Sequence, residues 1–528
     1  MSRRGSVFVA AGILMSRAFG LVRQRVLAHY LGLQTDQADA LAAAFRIPNF
    51  LQNLLGEGAL SASFIPSYSR LLGDGDEDEA RLLAGALLAL LAGAIAVIVL
   101  AGELATPWLM DLLVSHDWSD SKRALTEHLV RVLFPGAGLL VISAWCLGVL
   151  NSHRRFLLSY ASPVVWNVAI IAAALVVARH QDRSSFVVTV AWASVLGSLL
   201  QIAVQWPAVR AVGGAIRPIA WRRVPEVRTV IAAFLPNLVS RGANQISAFI
   251  DLYIASMVPM VGAVAAMTNA QVLYTLPVSL FGMAVSAAEL PEMSRERGDA
   301  ATVAAALRVR LTGATQRLAY YIVPSALGFL TLGGVIAGAV FQTGAFKRND
   351  SEFVWIVLAG SATGLLASTL GRLYASAFYA LNDTRTPLRC GIVRVVLTGA
   401  LGIGAALVLP PALGLAPKWG VAGLSASAGI AGWVEFALLR RGLCRRVGRF
   451  SLQGGELVKL WIAVLAAGAV GTAARLAGAH LPPIPLALVA VPLYAITYLA
   501  ITYWWDVPEA AVLTGTIRRA LTGGVRAV

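Results

Sequence analysis

The chain has 528 residues, of which 58% are hydrophobic and 13% are charged, and its mean hydropathy is +0.73. These values lie far from the balance of soluble globular proteins and predict a membrane protein. The net charge of +16 does not favour nucleic-acid binding, because no module combining basic and aromatic side chains accompanies it. The three cysteines and six histidines lack the spacing of a metal site. We therefore expect no metal and no cofactor.

Apolar runs of roughly twenty residues, the length that crosses a bilayer as a helix, recur about fourteen times along the chain. They predict an all-α polytopic membrane protein. The predicted spans cover residues 6–31, 38–68, 82–106, 127–150, 157–178, 186–208, 228–256, 262–290, 311–341, 353–380, 387–410, 419–440, 456–478 and 484–505. The first run has a basic leader but no small-residue cleavage site, so we expect it to be retained as a membrane helix.

The first two predicted spans contain ionisable side chains at membrane depth. Arg17 and Arg23 fall in the first span, and Asp39, Arg46 and Glu57 fall along the second. A charge at this depth costs at least ~2.5–3.5 kcal/mol and is usually retained for function. A proline in the middle of the second span predicts a kink, and three polar residues follow it: Asn49, Gln52 and Asn53. The two spans predict a cationic, water-accessible chamber that binds a substrate.

Basic residues predict the orientation, because lysine and arginine are held back in cytoplasmic loops. With both termini in the cytoplasm, 26 of the 43 lysines and arginines lie on the cytoplasmic side and 8 on the other. The loop at residues 211–227 is basic, and we expect it to contact anionic lipid headgroups.

A faint internal repeat suggests two lobes. Residues 147–167 and 378–394 both pass from an apolar helix through a short basic turn, led by asparagine, into another helix. The offset of six spans keeps the two copies in one orientation, which suggests pseudo-symmetric six-helix lobes. The predicted division is residues 1–210 for the first lobe, 211–227 for a cytoplasmic linker, 228–445 for the second lobe, and 446–528 for two extra helices and a tail.

Later spans also carry arginines. The seventh span is unusually polar, and its Arg241 either faces the cleft or joins Asp251 in a structural network between helices. Arg372 and Arg394 lie near the cytoplasmic ends of their spans, where we expect their long side chains to reach the headgroups.

Three stretches of the first two spans occur in a fixed order: SRAFGLVR at residues 16–23, DA at 39–40, and FRIPNFLQNLLGEGALSASFIP at 45–66. Together they resemble the amino-terminal signature of the MurJ/MviN lipid II flippases, of the multidrug/oligosaccharidyl-lipid/polysaccharide exporter superfamily. The resemblance implies that the chain moves the lipid-linked peptidoglycan precursor, lipid II, across the bacterial inner membrane for cell-wall synthesis. It also implies that Arg17 and Arg23 handle the diphosphate, that Asp39, Arg46 and Glu57 belong to the site, and that the last two helices receive the polyprenyl tail.

Two positions depart from the family's pattern. The family commonly has a pair of arginines where this chain has Gln52 and Asn53, and a further arginine where it has Gln271. Both departures remove positive charge from the implied site. Arg241 is the residue that we expect to compensate for them.

No enzyme motif is present, neither a phosphate-binding loop nor a HExxH helix nor a nucleophile elbow. We therefore predict a transporter rather than an enzyme, working by alternating access as a monomer, with lipid II and membrane lipids as its partners. The first alternative is a flippase for another polyprenyl-diphosphate-linked glycan, which the missing arginines favour. The second is a cation-coupled multidrug exporter, whose cavity should be apolar or acidic. A non-transporting scaffold would leave the arginines at membrane depth unexplained.

Overall fold

The structure, a computed structural model, describes residues 3–55, 59–214, 216–296, 299–381, 383–450 and 454–521. All regular elements in these ranges are helices, which confirms the all-α prediction. Within them, ten helices are long and apolar enough to cross a membrane, or eleven if the bent pair Arg348–Ala362 and Leu365–Ala380 is one span. The predicted first, second and seventh spans are helical but are not among these, so the count of fourteen stays a prediction.

The chain forms two compact units, of which the first comprises Met1–Ala265 and Thr343–Phe346. Its helices are α1 (Arg3–Leu31), α2 (Asp36–Leu55), α3 (Ala59–Asp74), α4 (Glu77–Leu113), α5 (Asp120–Ser152), α6 (Phe156–Ala161), α7 (Pro163–Val177), α8 (Arg183–Gly213) and α9 (Glu226–Met257).

Helix α5 is the centre of the first unit. It is buried along most of residues 129–150 and packs against α2, α3, α4 and α8. Small residues permit this approach: Gly138 adjoins Ile95 of α4, and a Cβ at Gly148 would lie 2.9 Å from the ring of Phe64 on α3. Helices in a membrane associate through such close packing, because lipid tails are as apolar as the side chains that they would replace.

The second unit comprises Ala266–Gln342 and Lys347–Val528. Its helices are α10 (Ala263–Pro277), whose first three residues belong to the first unit and which continues as a π-helix (Val278–Met283), α11 (Ala284–Arg295), α12 (Ala300–Phe341), α13 (Arg348–Ala362), α14 (Leu365–Ala380), α15 (Arg385–Ile403), which continues as a second π-helix (Gly404–Val408), α16 (Leu409–Ala412), α17 (Lys418–Val447), α18 (Gly454–Ala477), α19 (Pro483–Trp504) and α20 (Pro508–Leu521).

Helices α18 and α19 pack on α12, the longest helix of this unit. Pro324 of α12 has no N–H, so the carbonyl of Tyr320 loses its helical donor. The hydroxyl of Tyr498 on α19 donates to this carbonyl at 2.8 Å. Tyr494, one turn earlier, donates to the carbonyl of Pro324 at 2.7 Å. Helix α19 therefore attaches to α12 where the backbone hydrogen bonds of α12 are interrupted.

The predicted division into lobes stays a prediction, and the compact units group the helices differently. Helix α9, which the sequence assigns to the second lobe, belongs to the first unit and packs against α3 and α4. Both copies of the predicted repeat do pass from helix through turn to helix, between Ser152 and Phe156 and between Ala380 and Arg385. The symmetry of two six-helix lobes stays a prediction.

Candidate functional site

The side chain of Arg23, on α1, lies over an aromatic ring. Its guanidinium carbon lies 4.6 Å from the ring centroid of Trp166 on α7. Its Nε is buried and has no hydrogen-bond partner among the residues that the structure describes. The face of an indole attracts a guanidinium but does not use up the donors in its plane. Arg23 is therefore a positioned cation with one unpaired N–H, and a guanidinium of this kind suits an interaction with a phosphate oxygen.

Trp166 is itself fixed by its neighbours. Its indole N–H donates to the carbonyl and to the hydroxyl of Ser194 on α8, both at 3.1 Å. The ring of Phe45 on α2 meets it edge to face, with 6.3 Å between centroids. Gly197 of α8 leaves room for the indole, because a Cβ there would lie 3.0 Å from Trp166 Cδ1. Three helices thus determine the position of the ring beneath Arg23.

An acceptor without a partner lies on the helix that carries Trp166. Asn167 is buried, and its Oδ1 has no hydrogen-bond partner among the described residues. A Cβ at Gly20, one turn before Arg23, would lie 3.9 Å from this oxygen. Unsatisfied buried donors and acceptors are rare in proteins and are often explained by function. The unpaired Nε of Arg23 on α1 and the unpaired Oδ1 of Asn167 on the adjoining helix α7 therefore favour a polar ligand beside these two atoms.

Arg46 is engaged by the protein itself. Its Nη1 donates to the carbonyl of Ala248 on α9 at 3.0 Å, and its charge interacts with Asp251, one turn further along the same helix. These contacts join α2 to α9 and leave fewer donors for a ligand than Arg23 has. The binding role of Arg46 stays a prediction.

Both carboxylate oxygens of Asp39 have protein partners. Oδ2 accepts from Lys122 Nζ and from the N–H of Gly262, each at 2.8 Å. Oδ1 accepts from the N–H of Ala265 at 2.9 Å. These two N–H groups lie at the start of α10 and have no acceptor within the helix, so Asp39 caps it. Asp39 and Lys122 are both buried. The contacts favour a structural role, and binding of substrate by Asp39 stays a prediction.

The other predicted site residues of the first unit differ in exposure. Arg17 on α1 and Asn53 on α2 are exposed, whereas Asn49 and Gln52 are half-buried. Glu57 lies outside the described residues.

Two predicted residues belong to later helices. Gln271 is exposed on α10, in the second unit, and its Nε2 donates to Thr275 Oγ1 at 3.3 Å. Arg241 is part of α9, but its side chain is outside the described part of the chain. Its proposed compensation for Gln271 stays a prediction.

The second unit brings together a group of ionisable side chains whose association the sequence does not show. Arg394 of α15 donates from Nη1 to Glu435 Oε2 of α17 at 3.1 Å. Arg372 of α14 interacts electrostatically with both of them and with Tyr274 of α10. This pair gives Arg394 a partner other than the headgroups, and the expectation that Arg372 and Arg394 reach the headgroups stays a prediction. Glu435, a carboxylate within an apolar span, is the signal that could have revealed this group.

Comparison with known proteins gives consistent matches along the sequence. A family model described as lipid II flippase MurJ matches residues 27–483. The chain is 31% identical over 454 residues to the lipid II flippase MurJ of Burkholderia cenocepacia, with 84% of each chain covered. It is 30% identical over 475 residues to the probable lipid II flippase MurJ of Haemophilus influenzae, covering 86% of this chain and 89% of that relative.

Solved structures show the same fold. A structure of lipid II flippase MurJ in an inward closed conformation aligns with a TM-score of 0.76 and 20% identity, covering 94% of this chain and 98% of that one. An inward-facing multidrug resistance MATE family transporter of the MOP superfamily aligns with a TM-score of 0.64 and 15% identity, covering 84% of this chain and 98% of that one.

Proposed function

The chain belongs to the lipid II flippase MurJ family, and on this premise we propose how it moves lipid II across the bacterial inner membrane. The diphosphate of lipid II enters the first unit from the cytoplasm and pairs with Arg17 and Arg23. Alternating access then exposes it to the outer leaflet.

The observation that supports this role is the environment of Arg23. The charge lies over an indole face at 4.6 Å, and Nε is buried without a partner in the described part of the chain. A planar guanidinium with available donors matches two phosphate oxygens at once. Arg17, exposed on the same helix, supplies a second cation for the second phosphate.

The test compares Arg23→Ala and Arg23→Lys with wild type in lipid II binding and in proteoliposome flipping. A hydrogen bond to a charged group contributes ~1.5–3 kcal/mol, so we expect Arg23→Ala to weaken binding at least about tenfold. Arg23→Lys keeps the charge but loses the planar fork and should be intermediate. Arg70→Ala is the matched control, because Arg70 is exposed on α3. Wild-type binding and flipping by Arg23→Ala would contradict the proposal.

A second candidate substrate is another polyprenyl-diphosphate-linked glycan, favoured by the uncharged Gln52, Asn53 and Gln271. Complementation of a strain depleted of its lipid II flippase separates the two. Growth supports lipid II as the substrate. No growth, with the protein present in the membrane at the normal level, supports the other glycan.

The lysine and arginine distribution supports an orientation with both termini in the cytoplasm. A fluorescent protein fused to the carboxyl terminus should then be bright, and alkaline phosphatase fused there should be inactive. We also propose that the protein works as a monomer, which light scattering in detergent measures directly.

A further inference from the structure

Helix α14 carries an accessible polar line. All of its residues are described, and only Arg372 and Tyr379 among them are exposed. At 3.6 residues per turn these two lie on one face. Ser368, one turn before Arg372, continues the line, and its hydroxyl lies 2.8 Å from that of Tyr274 on α10. Because the rest of α14 is packed against neighbouring helices, Arg372 lies on the one open face of this helix, in line with the hydroxyl pair of Ser368 and Tyr274.

Arg394 lies on the inward face of α15. At 100° per residue it shares that face with Cys390 and Thr398, which are both buried. The opposite face carries Ile392 and Val396, which are 53% and 63% exposed. An exposed apolar face suits contact with lipid, so the guanidinium of Arg394 is on the side of the helix away from lipid.

The two arginines lie at a similar depth. Arg372 is 8 residues before the end of α14 at Ala380, and Arg394 is 9 residues after the start of α15 at Arg385. At 1.5 Å per residue, both are about 12–14 Å from the turn that joins these helices. Half of the hydrocarbon layer is about 15 Å thick. At this depth each charge is favoured by a partner within the protein or on a ligand.

One carboxylate serves both charges. Arg394 is paired directly with Glu435 at 3.1 Å, whereas Arg372 interacts with this carboxylate only at longer range and makes no direct ion pair with the described residues. Two buried polar atoms on α15, Arg394 Nε and Thr398 Oγ1, also have no hydrogen-bond partner within the described ranges. Two guanidinium groups and one carboxylate leave one positive charge uncompensated.

We propose that Arg372 and Arg394 form a second anion site, which binds a phosphate of the polyprenyl-diphosphate headgroup during transport. Glu435 is a positioning residue that orients Arg394, and the hydroxyls of Tyr274 and Ser368 provide hydrogen bonds. The nature of the ligand rests on the proposed function. The site also supplies positive charge near Gln271, which is exposed one turn before Tyr274 on α10.

The test measures binding of two probes, lipid II and inorganic pyrophosphate, to the full-length protein in phosphatidylcholine nanodiscs. We expect Arg372→Gln and Arg394→Gln each to raise the Kd of both probes about tenfold. Arg389→Gln is the matched control, because Arg389 is exposed on the same helix as Arg394, and it should leave both values unchanged.

Binding of the two probes distinguishes failure of the second anion site from failure of the proposed function. A wild-type protein that binds pyrophosphate through Arg372 but does not bind lipid II counts against the proposed function and supports the site. Unchanged Kd values for both probes in a folded Arg372→Gln variant overturn the site and leave the proposed function standing.

A further variant distinguishes binding from a structural role of Arg394. Arg394→Gln alone leaves Glu435 without its partner, and this lowers thermal stability whichever role is correct. The double variant Arg394→Gln with Glu435→Gln removes both charges and should recover stability. If Arg394 binds the anion, the Kd of the double variant stays about tenfold raised. Recovery of wild-type binding together with stability would show a purely structural pair and overturn the proposal.

Discussion

Arg23 and Arg46 are both arginines at membrane depth, but they differ in how far protein groups already compensate their charge and occupy their N–H donors. Arg46 uses a guanidinium N–H on a backbone carbonyl and interacts with Asp251. Arg23 lies on Trp166, which attracts the cation without neutralising it. A ligand that displaces Arg46 must break a protein hydrogen bond, whereas one that binds Arg23 does not. This contrast makes Arg23 the stronger candidate for direct contact with a diphosphate.

The buried pair of Asp39 and Lys122 gives a residue-scale prediction about stability. Removing one partner of a buried ion pair leaves the other uncompensated and typically costs ~3–5 kcal/mol. We therefore expect Lys122→Met to lower the melting temperature and the expression level strongly. Asp36→Asn is the control, because Asp36 is 43% exposed and lies 3.4 Å from the same ammonium group. Its loss should cost at most about 1 kcal/mol.

A substitution of Asp39 distinguishes a structural role of this residue from a role in substrate binding. Asp39→Asn keeps the shape and one acceptor oxygen but loses the charge that Lys122 needs. A structural role predicts reduced stability with normal transport per folded molecule. A stable Asp39→Asn protein that has lost transport would instead assign Asp39 to the substrate site.

The charged positions are predictable from the sequence, but their partners are not. The cost of a charge in an apolar span is visible in the sequence, and it pointed to Arg23, Arg46 and Asp39. The partner of Arg23 is Trp166, far along the chain and without any charge, so periodicity gave no signal for it. Lys122 lies just before the predicted span at residues 127–150, and its pairing with Asp39 depends on how α5 approaches α2, which the sequence does not show.

At the scale of the element, Pro324 removes one backbone hydrogen bond from α12. This predicts that substitutions of Tyr498 and Tyr494 lower stability by different amounts. The carbonyl of Tyr320 has lost its helical donor to Pro324 and accepts from Tyr498. The carbonyl of Pro324, which accepts from Tyr494, keeps its own donor in the helix. Tyr498→Phe should therefore cost ~1–3 kcal/mol of stability, and Tyr494→Phe clearly less.

A double-mutant cycle checks this explanation. Pro324→Ala restores an N–H opposite the carbonyl of Tyr320, so Tyr498→Phe should cost less in that background. Melting temperatures of the four proteins in one detergent give the coupling. An equal cost of Tyr498→Phe in both backgrounds would contradict the role of the freed carbonyl.

The turn between α14 and α15 gives a prediction about pH. Asp383 accepts from the N–H groups of Arg385 and Thr386, both at 3.0 Å, and from the hydroxyl of Thr386 at 2.6 Å. Hydrogen bonds from Thr386, with a smaller contribution from Arg446, lower the pKa of Asp383. A carboxyl with a lowered folded-state pKa stabilises the protein above its unfolded pKa of about 3.9, and this contribution is lost as the pH falls through the folded-state pKa.

The variant Asp383→Asn measures that contribution. Hydrogen bonds to a charged acceptor exceed those to a neutral one by about 1 kcal/mol, so the variant should melt below wild type. The difference should be constant from pH 8 to pH 5 and shrink below about pH 4. A gap that persists unchanged at pH 3 would mean that the charge of Asp383 does not stabilise the turn.

The helices were easier to predict than their arrangement. Apolar runs give the existence of the spans, because each must satisfy its backbone groups within one helix. The π-helix at Val278–Met283 and the attachment of α19 at Tyr320 depend on local backbone geometry that composition does not show. The grouping of α9 with the first unit depends on which of its faces packs against α3 and α4.

At the scale of the whole molecule, we expect the excess of arginine at membrane depth to connect transport to the membrane potential. An empty site with uncompensated guanidinium groups is cationic, and binding of a diphosphate brings it towards neutrality. A potential that is negative inside therefore draws the empty site towards the cytoplasm and hardly acts on the loaded one. Moving one charge through the whole field contributes about 2.3 kcal/mol per 100 mV, so we expect the potential to favour the return step of the cycle.

The last prediction separates this return step from loading. In proteoliposomes with an imposed potassium gradient, valinomycin sets the potential, and we expect multiple-turnover flipping of lipid II to be faster when the inside is negative. A single turnover from preloaded protein should not depend on the potential. Arg17→Gln removes one of the cavity charges, so it should make the multiple-turnover rate depend less steeply on voltage. Nigericin, which exchanges potassium for protons without setting a potential, is the control. Equal multiple-turnover rates at zero and negative potential would exclude the potential as the source of the return step.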